Sequence, residues 1–286
     1  MARIDGKDAA RDAVLEIVKL AAAAAYRAPM LTGRLDLKTE IITGEDQDPI
    51  IEYFEEIKSI SPVMYFDYET LKQFRDKGLT VPILLLGADL TRSDLAWDCG
   101  ACGFASCAEF NAFAKKDQGK LMWGGPTCNW KLMDFSAACD FACATVAQHR
   151  LDCRPMGTVG AAAAGVGFLP DCSIHIGIPI GPAGDFIYFS RSQNVDSISY
   201  EDQLECLIRT SPTNWQAFPG STKPAIKTRQ DWYNGMEYVQ WGPPTPEEQK
   251  FAADCLAKVA KVAEKHFPKV ASWYTRKKDP DTPTEE

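Results

Sequence analysis

The stretch LTVPILLLGADLTRSDLAWDCGACGFASC, Leu79–Cys107, sets an apolar run directly before three cysteines and two glycines packed into nine residues. The first half, dense in Leu, Ile and Val and ended by a turn, predicts a buried strand. The second half has the spacing C-x2-C-x4-C. Three chemistries gather cysteines this tightly: a disulfide knot, a zinc site or an iron–sulfur cluster.

Compartment and size bear on the first. The 286 residues, 45% hydrophobic and 24% charged, have the composition of an ordinary soluble protein long enough for one large domain or two modest ones. Met1 to Lys7 leads into a mixed-charge helical pattern rather than a signal peptide. The alanine run Ala21–Ala25 is too short to cross a bilayer. The expected location is therefore cytoplasmic, where ten cysteines read as metal ligands or redox centres before disulfides. The net charge of −8, with no Lys/Arg run, speaks against nucleic acid as a partner.

Zinc favours paired C-x2-C knuckles or histidines at regular spacing. The three histidines, His149, His175 and His266, stand in no such pattern. A cubane cluster instead needs four thiolates around an object a few ångströms wide, with backbone amides free to donate to it. Cys99 and Cys102 on a tight turn can supply adjacent corners, with Gly100 and Gly103 free to take positive φ. Cys107 opens a predicted helix over Ser106–Lys116, whose N–H groups face the anionic group. Cys128, in its own Gly/Pro turn GGPTC, is the candidate fourth ligand.

Outward from this centre, the chain alternates helices and strands. Helices are expected over Asp8–Ala25, from Asp48 (N-cap, with Pro49 in the first turn), over Asp67–Gly78, and over Lys131–Leu151. A further helix spans Pro246–His266 with Thr245 as N-cap. Strands are expected at Leu37–Thr43 and Ser173–Gly181, with GDFIYFSR, Gly184–Arg191, strand or extended. The fold class implied is α+β or α/β. From Tyr200 the texture turns Pro-, Gly- and Trp-rich and loop-like, and residues 276–286 read as a disordered tail.

DCGACGFASC resembles the C-G-x-C-G-x-x-x-C motif of small [4Fe-4S] domains in electron-transport subunits and corrinoid iron–sulfur proteins. With AAYRAP, GPTC, DCRPMGTVGAAAAG and GIPIGPAGDFIYFSR, the chain over about residues 10–191 resembles the ferredoxin-domain family of the DUF2148 type, found in anaerobes and archaea. That resemblance implies Cys99, Cys102, Cys107 and Cys128 as ligands of a [4Fe-4S] cluster. The C-terminal ninety or so residues and the additional cysteines lie outside it.

A second resemblance is to the FMN-dependent nitroreductase fold: an early helix ending in an RAP turn, a Gly/Ala-rich helix pair, a strand ending in Gly-Ile-Pro and a late Arg. It implies a nitroreductase-like core over residues 1–195, with the cluster segment inserted at about 97–130 and a C-terminal extension over 196–275. It implies FMN as a cofactor, with Arg27 and Arg191 on its phosphate, Gly157 and Gly160 admitting close backbone approach, and Gly165 and Gly167 as further glycines of that kind. It also implies a homodimer with the flavin at its interface.

Other residues carry two readings each. Cys139 and Cys143 share a helix face and, with Cys153, are either part of a second metal site or small buried residues. Cys172, Cys206 and Cys255 read as core or incidental. Asp98 and Asp134 are acid/base groups or a cap and a paired carboxylate; His149 and His175 are proton donors or structural. Trp215, Trp232 and Trp241 wall a substrate pocket or anchor a loop. The function expected is an oxygen-sensitive iron–sulfur oxidoreductase passing electrons from the cluster to FMN and on to a small organic substrate. The alternatives are a ferredoxin-like electron carrier or accessory protein for a redox partner, and a binding domain held together by a structural cluster.

Overall fold

The strand foreseen in Leu79–Leu90 is the spine of the molecule. In a computed structural model, which describes residues 3–59, 62–76, 81–116, 124–182 and 246–268, β2 (Ile83–Ala88) is buried at all six positions. It is central in a three-stranded antiparallel sheet, between β1 (Leu37–Ile42) and β3 (Ile174–Pro179). A strand covered on both faces has no reason to alternate, which is why ILLL reads as a continuous apolar run.

Helices cover both faces. On one, α1 (Gly6–Tyr26) and α5 (Asn129–Gln148) pack through Val14, Val18, Ala21, Ala25, Phe135, Ala138 and Ala142 against Leu84 and Leu86. On the other, α2 (Asp48–Ile57), α3 (Pro62–Asp76), α6 (Gly157–Val166) and α7 (Pro246–His266) pack against Ile83 and Leu85. Alternate β2 residues thus feed two separate cores, as the twofold period of a strand requires. α4 (Cys107–Lys116) stands beyond the end of β2. The architecture mixes helices with an antiparallel sheet, the α+β option of the sequence reading.

Most element ends fall near their expected places. Asp5 caps α1, accepting from Lys7 N at 2.8 Å and Asp8 N at 3.3 Å. α3 begins at Pro62, earlier than Asp67, because a proline in the first turn forfeits no helical hydrogen bond. α5 stops at Gln148, short of Leu151: Arg150 adopts φ 59°, and Leu151 N returns to the Val146 carbonyl at 3.4 Å. The chain then runs back along the outer edge of β3, bridging Cys153 to Ile180 and Met156 to Gly177. Gly160 is where α6 crosses β3: a Cβ there would stand 2.1 Å from the His175 carbonyl oxygen. Gly184–Arg191, the Trp-rich stretch, Cys206, Thr245 and the tail lie outside the described residues. Among the described residues no helix is long and apolar enough to cross a membrane.

Candidate metal centre

Between β2 and α4 the chain makes no regular structure, and here it gathers its sulfurs. Cys99, Cys102, Cys107 and Cys128 all line one cleft, with about 340 Å³ of empty space including its open mouth. Its other walls include Ser93, Phe104, Phe110 and Trp130, and no residue with a charged side chain or a histidine lines it. Cys99 is exposed, Cys102 and Cys107 are half-buried, and Cys128 is buried. All nine described cysteines are free thiols.

Each thiol owes its place to a local device. Gly100 and Gly103 adopt φ 72° and 86°, and Gly103 N returns to the Gly100 carbonyl at 2.9 Å, closing the turn that carries Cys99 and Cys102. Cys107 opens α4. Its N–H is taken by Asp98 Oδ1 at 2.7 Å, so Asp98 serves as the cap that was one of its two sequence readings. The same turn carries a capping-box arrangement, Glu109 N donating to Ser106 Oγ at 3.1 Å and Glu109 Oε2 accepting from Ala105 N at 3.2 Å. Cys128 is the N-cap residue of α5, and its N–H donates to the carbonyl of buried Leu90 at 2.9 Å, just past β2. Two helix N-termini therefore flank the cleft, each offering partial positive charge to an anionic occupant.

Polar groups of the chain reach the sulfurs. Ser93 Oγ donates to Cys107 Sγ at 3.4 Å and accepts from the Cys128 thiol at 4.0 Å, joining two of the cleft's thiols from two different helices. Trp130 Nε1 donates to Cys99 Sγ at 3.2 Å. The Ser93 hydroxyl first, then the backbone N–H of Asp98, hold the Cys107 thiol below its ordinary range, against burial.

The loop that carries these groups is braced from both sides. Lys131, buried on α5, pairs with Asp94 at 2.8 Å and holds its carboxyl below the usual range. Asn129 Nδ2 donates to the Ala101 carbonyl at 2.9 Å. Trp97 meets Trp130 edge-to-face, ring centroids 5.7 Å apart. Ser93, Asn111, Trp130 and Lys131 were not singled out in the sequence. The one signal available was their nearness to cysteines, in TRSD, CAEFN and CNWK.

Among the described residues no group of three or more His, Cys, Asp or Glu side chains stands ready to hold a metal ion. The fit to a cluster rests on donor chemistry instead. Four thiols distributed around the walls of one cleft suit a cluster in which each iron takes one terminal thiolate.

The residues expected around a flavin are not brought together. Arg27 closes α1 on one face of the sheet, while Gly157 and Gly160 belong to α6 on the other, and Arg191 lies outside the described residues. Gly165 is buried in α6, and Gly167 takes φ 110° as its left-handed C-cap. His175 Nε2 donates to the Phe168 and Leu169 carbonyls at 3.1 and 3.0 Å, a structural role. Asp134 is likewise paired: its carboxylate accepts from Leu31 N at 2.6 Å, Thr32 N at 3.0 Å and Thr32 Oγ1 at 2.5 Å.

Comparison with known proteins reaches part of this site: of its four cysteines the family match below contains Cys128. Residues 124–191 match the model of a family described as "Uncharacterized protein containing a ferredoxin domain (DUF2148)". An uncharacterized protein of Archaeoglobus fulgidus is 27% identical over 189 residues, covering 66% of this chain and 97% of that protein. No solved structure matches the chain.

Proposed function

We propose that this protein is an iron–sulfur electron-transfer protein whose [4Fe-4S] cluster is held by Cys99, Cys102, Cys107 and Cys128 and serves a redox partner protein. The observation that carries the reading is the gathering of four thiols, from a turn, a helix start and a helix cap, on one cleft with no charged wall. The ferredoxin domain in the description of the matching family supports it.

A bound cluster supplies transfer of single electrons. The chain's own residues set the conditions. Ser93 and Trp130 donate to Cys107 and Cys99, drawing negative charge off the ligand sulfurs and favouring the reduced, more anionic state. Phe104 and Phe110, edge-to-face at 5.7 Å, wall the cleft against water. Trp97, 48% exposed at the rim, offers an aromatic contact for a partner. The proposal routes no electrons through FMN, and it assigns no organic substrate.

The test is iron, sulfide and flavin quantification with electron paramagnetic resonance on one anaerobic preparation of the full chain. About four irons and four sulfides per chain with a reducible signal are expected. Cys128→Ser should lose or convert the cluster and Cys139→Ser should retain it. A stoichiometric single zinc, or a cluster indifferent to Cys128, would overturn the assignment. Stoichiometric FMN on that preparation would restore the flavin-dependent oxidoreductase.

A further inference from the structure

About 20 Å along α5 from the cleft, the chain brings two more cysteines together. The reversal at Arg150 carries the segment after α5 back toward it, and the bridge from Cys153 to Ile180 pins that segment on the edge of β3. Cys153 Sγ thereby comes within 3.9 Å of the carbonyl oxygen of Cys143, to which it donates, and both side chains pack against the same core. Both are half-buried against the core shared by α1 and α5, so a small reagent can reach them.

We propose that Cys143 and Cys153 form a dithiol–disulfide couple that exchanges with low-molecular-weight disulfides. The assignment is independent of the iron–sulfur reading, since neither cysteine lines the cleft.

The two thiols are unequal. The Cys143 side chain draws Cys153 below its ordinary range, whereas the Cys153 side chain and burial push Cys143 up. Cys153, carried on the returning segment rather than fixed inside α5, is the attacking sulfur of this proposal. It bonds to one sulfur of a disulfide RSSR, whose S–S bond breaks and releases RS⁻. Cys143 then attacks the Cys153 sulfur of the mixed disulfide, and its proton goes to the second departing RS⁻. The Cys143–Cys153 bond forms, and the two electrons given up by the protein sulfurs reduce RSSR to its two thiol halves. Cys139, one turn earlier on the same face, is buried and pushed up to about 12, so it stays a thiol and takes no part.

The experiment exposes the full chain, purified anaerobically, to oxidised glutathione. Remaining thiols are then alkylated and the cysteines mapped by tandem mass spectrometry. Cys143 joined to Cys153 is expected, with Cys139 and Cys172 alkylated and the bond reversed by dithiothreitol. Cys143→Ser, or Cys143→Ala should the serine variant fail to fold, should trap glutathione on Cys153. Cys153→Ser should leave Cys143 without an adduct. The proposal is overturned if both thiols remain alkylatable after exposure, if Cys143 pairs with Cys139 instead, or if the Cys143 variants leave Cys153 unmodified. None of these outcomes depends on whether iron is present, which is measured separately.

Discussion

Asn111 closes its carboxamide on both backbone groups of Ser93: Oδ1 accepts the N–H at 2.8 Å, and Nδ2 donates to the carbonyl at 2.8 Å. The side chain of α4 thus supplies a two-point anchor for a residue fourteen positions before Cys107, whose hydroxyl lies within reach of two of the cleft's sulfurs. A coil segment gains the rigidity that a ligand-bearing loop requires.

Asn111→Ala removes both anchoring bonds and leaves two backbone groups seeking partners. The expected cost is about 1–3 kcal/mol, read by chemical denaturation. Iron retention after reconstitution should fall with it, and unchanged retention would show that the anchor does not serve the ligands.

Ser93→Ala removes only the hydroxyl. The loaded protein should keep its cluster with roughly 10–100-fold weaker metal retention, and its midpoint potential should move lower, because one hydrogen bond to a ligand sulfur is lost. Potentiometry on matched samples decides this; equal potentials at equal iron content would sink it.

The pair Lys131–Asp94 should respond asymmetrically. Asp94→Ala strands a buried ammonium, whereas Lys131→Met leaves a carboxylate that is 41% exposed and readily hydrated. The aspartate variant is expected to be the less stable by about 1–3 kcal/mol, compared through denaturation midpoints of the two proteins.

Gly160→Ala drives a methyl group into the backbone of β3, at 2.1 Å from one carbonyl oxygen and 2.5 Å from its carbon. Backbone cannot rotate away as a side chain can. The loss should lie at or beyond the upper end of the roughly 1–3 kcal/mol typical of overpacking, visible as a lower thermal midpoint.

α7 is held to α2 by Glu52, which accepts from Lys265 at 2.6 Å and His266 at 2.9 Å. The Lys265 hydrogen bond, foremost, and those of His266 lower the Glu52 carboxyl from its ordinary 4.5. Its folded-state value is the depressed one. Its stabilisation is therefore present above about 4.5 and disappears as pH falls through the lower folded value. The pair is solvent-facing, so the effect should be about 0.2–1 kcal/mol. Protection factors for hydrogen exchange in α7, corrected for the intrinsic pH dependence of exchange, should fall on acidification, and Glu52→Gln should remove that change.

What could be read from residue order alone was whatever depends on near neighbours. The apolar run at Ile83–Leu86, Pro49 in the first turn of α2, the turn glycines at 100 and 103 and the three-cysteine spacing all act over a few residues, and pattern exposes them. Cys128 was reachable because its own Gly/Pro turn marked it, although its seat as N-cap of α5, tied to Leu90, was not. Tertiary structure alone decided that Ser93 stands between Cys107 and Cys128, that Asn111 and Lys131 brace the loop, that Arg27 and Gly160 lie on opposite sides of the sheet, and that Cys153 returns to Cys143. These relations join residues brought together by the antiparallel sheet and the packing of α1 and α5, and no periodicity along the chain encodes a distance across it.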